Sequence, residues 1–477
     1  MGYQAPFAPD DDFCITIFRF PNNELQVEIN DTIPTDFDVA NSILCDDEGN
    51  LLLYSNEKAL YNKYFRKIPG GENLFIPPLI DILGPQSMLS LYLPTSKDTV
   101  VTLYLNIDYI KEPVWNIGAT SLFYSITSLK ENQGEGKVLI KQVEILHDTL
   151  EANQMTAVQH ANGRDWWILA LEFGTNRFYK VLLSPSGPSL SNVQNIGTTM
   201  PGATLGQAVF SPDGTKYAVV GAYDAATGSF LELYDFDRCT GSLSNQRTDA
   251  WMDANFGYGV AFSPNNRFLY ITAKYSIFQY DLQAPDWIAS KQTVAYYDGF
   301  ESPFGSRFYI AQLAPDNKIY VNCTNAETVM HVINKPDLLG TACDVQQHAI
   351  DLGCYNAFTI PNYPNFRLGK MAGSPCDTIV SGLAGPVPEV GSAYTISPNP
   401  TSGILHITNL SGVKNTGKEI QITITSTTGR LVYSTVLTDS VISQSIELPP
   451  MENGIYFVQM TDEAGKVSVS KLVYSTK

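Results

Sequence analysis

Three stretches decide the fold: Ala208-Val209-Phe210-Ser211-Pro212-Asp213-Gly214-Thr215-Lys216-Tyr217, Val260-Ala261-Phe262-Ser263-Pro264-Asn265-Asn266-Arg267-Phe268-Leu269-Tyr270 and Gln312-Leu313-Ala314-Pro315-Asp316-Asn317-Lys318-Ile319-Tyr320-Val321. Each is a short apolar strand, a tight turn and a second apolar strand. Proline presets φ at the first corner, and Gly or Asn accepts positive φ at the next. The three are copies of one unit, and a fixed period between copies is the mark of a repeat architecture.

Weaker copies lie upstream. Asp47-Glu48-Gly49-Asn50 precedes Leu51-Leu52-Leu53-Tyr54, Pro94-Thr95-Ser96-Lys97-Asp98 precedes Thr99-Val100-Val101, and Asn162-Gly163-Arg164-Asp165 precedes Trp166-Trp167-Ile168-Leu169. Anchored at 49, 97, 163, 214, 266 and 317, the spacings are 48, 66, 51, 52 and 51. Four of the five share a period, and the long one carries an insertion. Further strands follow each turn, at Tyr217 to Ala222 and Phe230 to Phe236, then at Phe268 to Thr272 and Ile277 to Leu282. Four strands in about 50 residues make one propeller blade, which buries both faces only by stacking on its neighbours. Six anchors predict six blades. A hairpin over Cys14 to Phe20 and Leu25 to Ile29, joined to a strand near Tyr355 to Ile360, predicts a composite seventh. The reading favoured is an all-β, seven-bladed β-propeller over residues 13–372, with six blades as the alternative.

The SPDG-type turns resemble those of WD40-like and YVTN-type propellers, common in exported proteins of the Bacteroidetes. The Trp-Asp and Gly-His signatures of true WD40 repeats are missing. Turns of this kind imply the fold and leave the function open.

Composition shifts after Cys376. Residues 373–392, with Ser381-Gly382-Leu383-Ala384-Gly385-Pro386-Val387-Pro388-Glu389, read as a linker. Residues 393–477 hold short alternating strands, which predict a small Ig-like β-sandwich. Four blocks stand in order there: Ser397-Pro398-Asn399-Pro400-Thr401-Ser402-Gly403, Thr428-Gly429-Arg430, Asn453-Gly454-Ile455-Tyr456-Phe457 and Lys471-Leu472-Val473. They resemble the type A sorting domain of the type IX secretion system. The resemblance implies Sec export, passage through the outer membrane, delivery to the cell surface or medium, and usually removal of the domain. The secretion machinery is then one partner, and the sorting signal falls on Pro398, Asn399, Pro400, Gly403, Gly429, Arg430, Gly454, Ile455, Tyr456, Lys471, Leu472 and Val473. The segment beginning Met1-Gly2-Tyr3-Gln4 has neither a basic nor an apolar region, so no signal peptide is read there.

The charge balance excludes one partner class. Among 477 residues, 30 Lys and Arg face 48 Asp and Glu, a net charge of −18, and a nucleic-acid partner needs a basic footprint. No run of apolar residues is long enough for a transmembrane helix. Seven cysteines include no CxxC pair, which argues against a zinc site, and the odd number leaves at least one without an internal partner. The four between 323 and 376 allow a disulfide in an oxidising compartment.

Catalytic motifs fail in turn. GxSxG, HExxH and GxxxxGK[ST] are absent, and Gly257-Tyr258-Gly259 does not complete a dinucleotide fingerprint. His160, beside Asp165 and Trp166, is the histidine best placed for catalysis, but it reads more simply as a hydrogen-bonded residue beside a turn. No catalytic residue, metal or cofactor is expected. Asp-Thr-Ile at 31–33 and 377–379 resembles a Bacteroidetes O-glycosylation acceptor, and it also reads as a plain turn or linker. Aromatic residues stack on sugar rings, so Trp115, Trp251 and Trp287, in connecting segments, are the ligand-binding expectation. The functional expectation is an exported, non-catalytic propeller that binds a surface glycan or protein. The alternatives are a propeller hydrolase, lactonase-like or glycan-cleaving, and a structural subunit of a surface assembly.

Overall fold

The computed structural model describes residues 14–30, 37, 39–56, 58–75, 84–110, 116–199, 205–222, 228–252, 254–356, 358, 360–377, 394–397, 399, 401–409, 419–426, 430–438, 443–462 and 467–475. It divides into two compact units, 1–379 and 380–477.

The first unit opens with a hairpin, β1 (Ile15–Arg19) and β2 (Gln26–Asn30). Six antiparallel sheets of four strands follow. Sheet one is β3 (Ser42–Cys45), β4 (Leu51–Ser55), β5 (Ala59–Asn62) and β6 (Lys67–Glu72). Sheet two is β7 (Met88–Tyr92), β8 (Thr99–Ile110), β9 (Asn116–Ser128) and β10 (Lys137–Leu150). Sheet three is β11 (Thr156–Gln159), β12 (Trp166–Leu171), β13 (Arg177–Ser184) and β14 (Gly187–Asn195). Sheet four is β15 (Leu205–Phe210), β16 (Lys216–Ala222), β17 (Ser229–Asp237) and β18 (Ser242–Trp251). Sheet five is β19 (Gly257–Phe262), β20 (Phe268–Ala273), β21 (Ser276–Asp281) and β22 (Gln292–Tyr296). Sheet six is β23 (Phe308–Leu313), β24 (Ile319–Cys323), β25 (Glu327–Ile333) and β26 (Val345–Asn356). Within each, strands pair in chain order, as in a propeller blade.

The turns form as their chemistry dictates. Gly214, Asn266 and Asn317 take φ of 71°, 60° and 62°. The Asp213 carboxylate accepts from the Ser211 hydroxyl at 2.6 Å and the Thr215 amide at 2.9 Å, and Asn265 repeats this with Ser263 and Arg267. A side-chain acceptor at this corner replaces backbone partners that the turn cannot offer.

The apolar core closes on itself. Leu44 and Leu53 of sheet one join Leu89, Leu103 and Leu122 of sheet two and Ile168 and Val181 of sheet three. Trp167 and Phe178 then meet Tyr217 and Tyr234 of sheet four. Val220 and Leu231 meet Val260 and Ile271 of sheet five, and Phe268 and Tyr270 meet Phe308 and Val321 of sheet six. Phe18, Phe20 and Leu25 of the hairpin segment pack on Tyr320 and Met330 of sheet six, while Ile15 packs on Tyr54 and Tyr61 of sheet one. The hairpin is therefore a wedge that joins the last sheet to the first.

The composite seventh blade lies partly outside the described residues, since 357 and 359 are not among them. The wedge has two strands, and no seventh four-stranded sheet occurs among the described residues. Tyr355 and Asn356 instead complete β26, where Asn356 pairs with Glu327. The chain past Ile360 makes one parallel bridge, Asn362 to Ser42 beside β3, and then leaves the sheets.

Three buried amide side chains fill the axis. Gln86 donates to Ala208 O at 2.8 Å and accepts from Ala208 N at 2.7 Å. Gln207 donates to Ala311 O at 2.7 Å and accepts from Ala311 N and Val260 N, both at 3.0 Å. Asn362 donates to Met88 O and Met155 O at 2.8 and 3.0 Å, and its amide N–H donates to Asn41 O at 3.1 Å. The inner strand of a blade has no sheet neighbour on its axial edge, and these amides stand in for one.

From Asn362 the chain runs as a strap over the turns of sheets three and four. Phe366 meets Trp166 edge-on at 5.5 Å, Asn365 donates to Pro212 O, and Gly369 N donates to Gln159 Oε1 at 2.7 Å. A Cys239–Cys376 disulfide fastens its end, so residues 373–376 of the expected linker belong to the strap. A second disulfide, Cys14–Cys354, ties the wedge to β26. Cys45, Cys323 and Cys343 are free.

In the second unit β27 (Tyr394–Ser397), β28 (Ile404–Asn409) and β31 (Ser443–Glu447) form one sheet. The other holds β29 (Glu419–Ser426), β30 (Leu431–Thr438), β32 (Gly454–Asp462) and β33 (Val467–Tyr474), in the order β30-β29-β32-β33. Leu405, Ile407 and Ile446 of the first sheet share a core with Ile422, Ile424, Val458 and Leu472 of the second. Alternation along β29 and β32 places one face of the sheet inward.

The Cys14–Cys354 bond spans 340 residues, so its loss frees nearly the whole ring in the unfolded chain. The double variant Cys14→Ser/Cys354→Ser is expected to lose roughly 2–5 kcal/mol in denaturant unfolding. An unchanged midpoint contradicts the wedge as a tie between sheets six and one.

Candidate functional site

The ring presents two faces. One carries the turns between first and second strands and is crossed by the strap. The other carries the connections between sheets, and between sheets five and six it gathers aromatic residues: Tyr275 is exposed, while Phe256, Tyr258 and Tyr297 are half-buried, with Tyr258 and Tyr297 packed on the neighbouring cores. Tyr275 N donates to Asn255 Oδ1 at 2.7 Å, and Tyr297 N donates to Tyr275 O at 2.9 Å. The rings of Tyr275 and Tyr297 lie 6.4 Å apart. The Arg307 guanidinium sits over both, 5.7 Å from the Tyr275 ring and 6.0 Å from that of Tyr297, and Lys274 Nζ lies 5.2 Å from the Tyr275 ring. Phe256 and Tyr258 continue the strip at 6.3 Å, and Tyr258 meets the buried Tyr309 at 5.2 Å. Tyr296, the last residue of β22, and Phe304, on the connection that follows, are 70% and 44% exposed.

The connection from Tyr297 to Arg307 is held from within. The Tyr297 hydroxyl donates to Phe300 O at 2.6 Å, Asn325 Nδ2 donates to Gly305 O at 2.8 Å, and Phe300 stacks on His348 at 4.3 Å. His348 Nε2 lies 3.0 Å from Asp298 Oδ2. The segment is thus a rigid platform for the strip's rings.

Beneath it lies Glu327, which is 0% exposed. The Ser302 and Phe304 amides face its carboxyl and favour the charged form, but neither carboxyl oxygen has a hydrogen-bond partner among the described residues. Burial dominates and pushes its pKa from 4.5 up to about 8, so the acid is neutral at pH 7. Cys323 and His331 follow on the same side of sheet six, with Sγ 3.4 Å from Nε2. Burial raises the thiol's pKa and lowers that of the imidazole to about 4. A nucleophilic pair needs the opposite shift at sulfur and a path to solvent, so these residues are core.

The sequence-derived residues fall elsewhere. Trp115 lies outside the described residues. Trp251 packs edge-on against Phe278 at 5.9 Å, donates through Nε1 to Asn255 O at 2.8 Å, and has Lys291 Nζ 4.4 Å from its ring centre. Trp287 packs on Tyr280 at 5.4 Å, and the Tyr280 hydroxyl donates to Asp249 at 2.7 Å. Both tryptophans adjoin the core between sheets four and five. His160 is buried beside Trp167, its Nδ1 accepts from Asn162 N at 3.0 Å, and burial lowers its pKa. The strip had a sequence signal: Tyr296-Tyr297-Asp298-Gly299-Phe300 opens a connection of 11 residues between β22 and β23.

A cleft of about 540 Å³ opens elsewhere, between the hairpin tip and sheet six, lined by Asn23, Glu24, Asp316, Lys318, Asn334 and Gln346 among others. Its one ring, Tyr320, is buried and donates to Asp316, so it offers no open face for stacking. No three of His, Cys, Asp or Glu converge as metal ligands among the described residues.

In the C-terminal unit the sorting-type blocks prove to be one mechanical assembly. Asn399 Nδ2 donates to Lys471 O at 2.7 Å, and Asn399 Oδ1 accepts from Val473 N at 2.8 Å. Thr401 continues alongside Tyr474 by a parallel bridge. The first block therefore covers the free edge of β33, the last block. Leu472 and Tyr456 point into the core, and the Tyr456 hydroxyl donates to Glu452 O at 2.8 Å. Ile455 and Lys471 face outward, and Val473 is half-buried. Arg430 closes the β29–β30 turn through its backbone with Ser426. The Gly403 carbonyl accepts from Leu448 N at 2.7 Å. Gly454 opens β32, while Pro398, Pro400 and Gly429 lie outside the described residues.

The comparisons agree with this geometry. Residues 395–475 match the family described as "Secretion system C-terminal sorting domain". The protein therefore carries a type IX sorting domain behind a β-propeller, and it is exported to the cell surface or secreted. The secretion machinery handles it as cargo. No helix among the described residues is long and apolar enough to cross a membrane. No curated protein matches the sequence. Solved structures similar to this chain include a putative 6-phosphogluconolactonase from Bacteroides fragilis, 13% identical, covering 74% of this chain and 94% of that one, with a TM-score of 0.45. The β-propeller domain of Myceliophteria thermophila Cps50 is 10% identical over 81% and 96% of the two chains, with a TM-score of 0.30. A putative TolB from Agrobacterium tumefaciens is 14% identical over 59% and 87%, with a TM-score of 0.31.

Two outcomes follow for stability. Asn399→Ala removes two hydrogen bonds from the edge of β33 and is expected to cost about 1–2 kcal/mol in the transition of the C-terminal unit. Unchanged hydrogen exchange at Val473 N–H in that variant contradicts the edge-cover role. Glu327, with its folded pKa raised, contributes stability that is full below pH 4.5 and is lost as pH rises through about 8. His331, with its pKa lowered, acts oppositely and only below pH 6.5. Urea midpoints are thus expected to fall between pH 6.5 and 8, less so in Glu327→Gln; parallel profiles contradict a buried neutral acid.

Proposed function

We propose that the propeller is a non-catalytic glycan-binding module, exported by its C-terminal unit and presented outside the cell. The observation that carries this reading is the strip of Phe256, Tyr258, Tyr275 and Tyr297 on the inter-sheet face, with Lys274 and Arg307 among the rings. Sugar rings present C–H faces that stack on aromatic side chains, and their hydroxyls take hydrogen bonds from cationic donors at the edges. The strip lies on sheet ends that the core holds rigid, so little ordering cost is due on binding. The axis is filled by amides, which leaves the rim as the place for a ligand.

A glycan array with the full chain is expected to show saturable binding that Tyr275→Ala weakens about tenfold or more, the loss of one stacking contact in a multi-contact site. Trp287→Ala, whose ring packs on Tyr280 away from the strip, is expected to retain binding. Equal binding by Tyr275→Ala and the parent chain overturns this placement of the site.

A further inference from the structure

Arg307 and Lys274 stand out in a chain of net charge −18. Among the described residues neither is in an ion pair, although most of their counterparts on this ring are: Arg177, Lys216, Arg247, Arg267, Lys291 and Lys335 each hold a carboxylate. The acids around Arg307 are otherwise disposed. Asp298 is taken by His348, and Glu301 is exposed and in no described ion pair. Glu327 lies directly below, with no hydrogen-bond partner at either oxygen, and Arg307 Nε is likewise unpartnered and buried. The guanidinium leans instead on the faces of two tyrosines.

We propose that the strip selects acidic sugars: a uronate ring stacks on Tyr275 and Tyr297, and its carboxylate is received by the guanidinium of Arg307 and the ammonium of Lys274. This rests on the glycan reading and names its ligand class. A guanidinium on an aromatic face keeps its in-plane N–H donors free for a planar carboxylate, which it grips bidentately. Hydroxyls of neutral sugars accept from the same cations more weakly than a carboxylate does. The buried acid sets the charge of the site. While Glu327 is protonated, it does not compete with the ligand for the Arg307 guanidinium. When Glu327 ionises, it competes for Arg307 from below. Facing Glu327 are Tyr297, Glu301 and Arg307 from the connection and Cys323 from β24, while Asn356 is its pairing partner on β26; of these only Arg307 is cationic.

The test compares uronate-bearing oligosaccharides (oligogalacturonates) with neutral galactans and mannans, using the full chain. Uronate binding is expected to exceed neutral binding, to weaken as salt is raised, and to fall about tenfold or more in Arg307→Gln, the loss of a charge-assisted hydrogen bond. Lys274→Gln, on an exposed turn, is expected to weaken uronate binding more than neutral binding. Uronate binding is also expected to decline as pH passes about 8, and Glu327→Gln is expected to abolish the decline. Neutral glycans bound equally well, with Arg307→Gln and Lys274→Gln indifferent, overturn the acidic specificity and leave the glycan reading intact. No glycan of either class bound overturns both.

Discussion

The ring depends on how its inner strands are satisfied at the axis. Six first strands converge there, each with an edge of backbone groups that no sheet neighbour reaches. Three side-chain amides supply the missing partners: Gln86 for sheet four, Gln207 for sheets five and six, and Asn362 for the starts of sheets two and three. An unpaired buried amide or carbonyl costs about 1–3 kcal/mol. Gln207 alone satisfies three such groups, so its removal is felt in two sheets at once. The remainder of the unit is arranged around this constraint. The wedge, the two disulfides and the strap tie the first and last segments of this unit to the ring, and Asn362 reaches the axis just before the strap begins.

With the centre packed and one face crossed by the strap, the inter-sheet connections lie on the other face. Those between sheets five and six have become an aromatic strip with two unpaired cations. The same physics shapes the C-terminal unit, where the free edge of β33 is covered by Asn399 and Thr401. A sorting signal that must survive handling by a secretion machine is built so that its first and last blocks hold each other.

Much of this was legible in the sequence. The SPDG-type turns announced themselves because their chemistry is local: proline, an acid or amide acceptor and a residue at positive φ fall within five positions. The sorting blocks were legible for the same reason. What escaped depends on contacts between distant positions. Gln86, Gln207 and Asn362 look like any polar residue near a strand, and only the ring brings them to one line. The pairing of Cys14 with Cys354 spans 340 residues. The apolar run at Tyr355 to Ile360 suggested a strand of its own, but its first residues extend β26 against Glu327. Trp251 and Trp287 stood out by residue type, and only the packing of sheets four and five shows that both lie beside the core there.

The central claim is that the ring is held at its axis by side-chain amides. Native-state hydrogen exchange at the amides of Ala208, Val260 and Ala311 tests it most directly. The account predicts that these three exchange only through global opening, among the slowest in the unit, and that Gln207→Ala speeds exchange at Val260 and Ala311 while leaving Ala208, held by Gln86, slow. Rapid exchange at all three in the parent protein, or no change at Val260 and Ala311 in the variant, contradicts it.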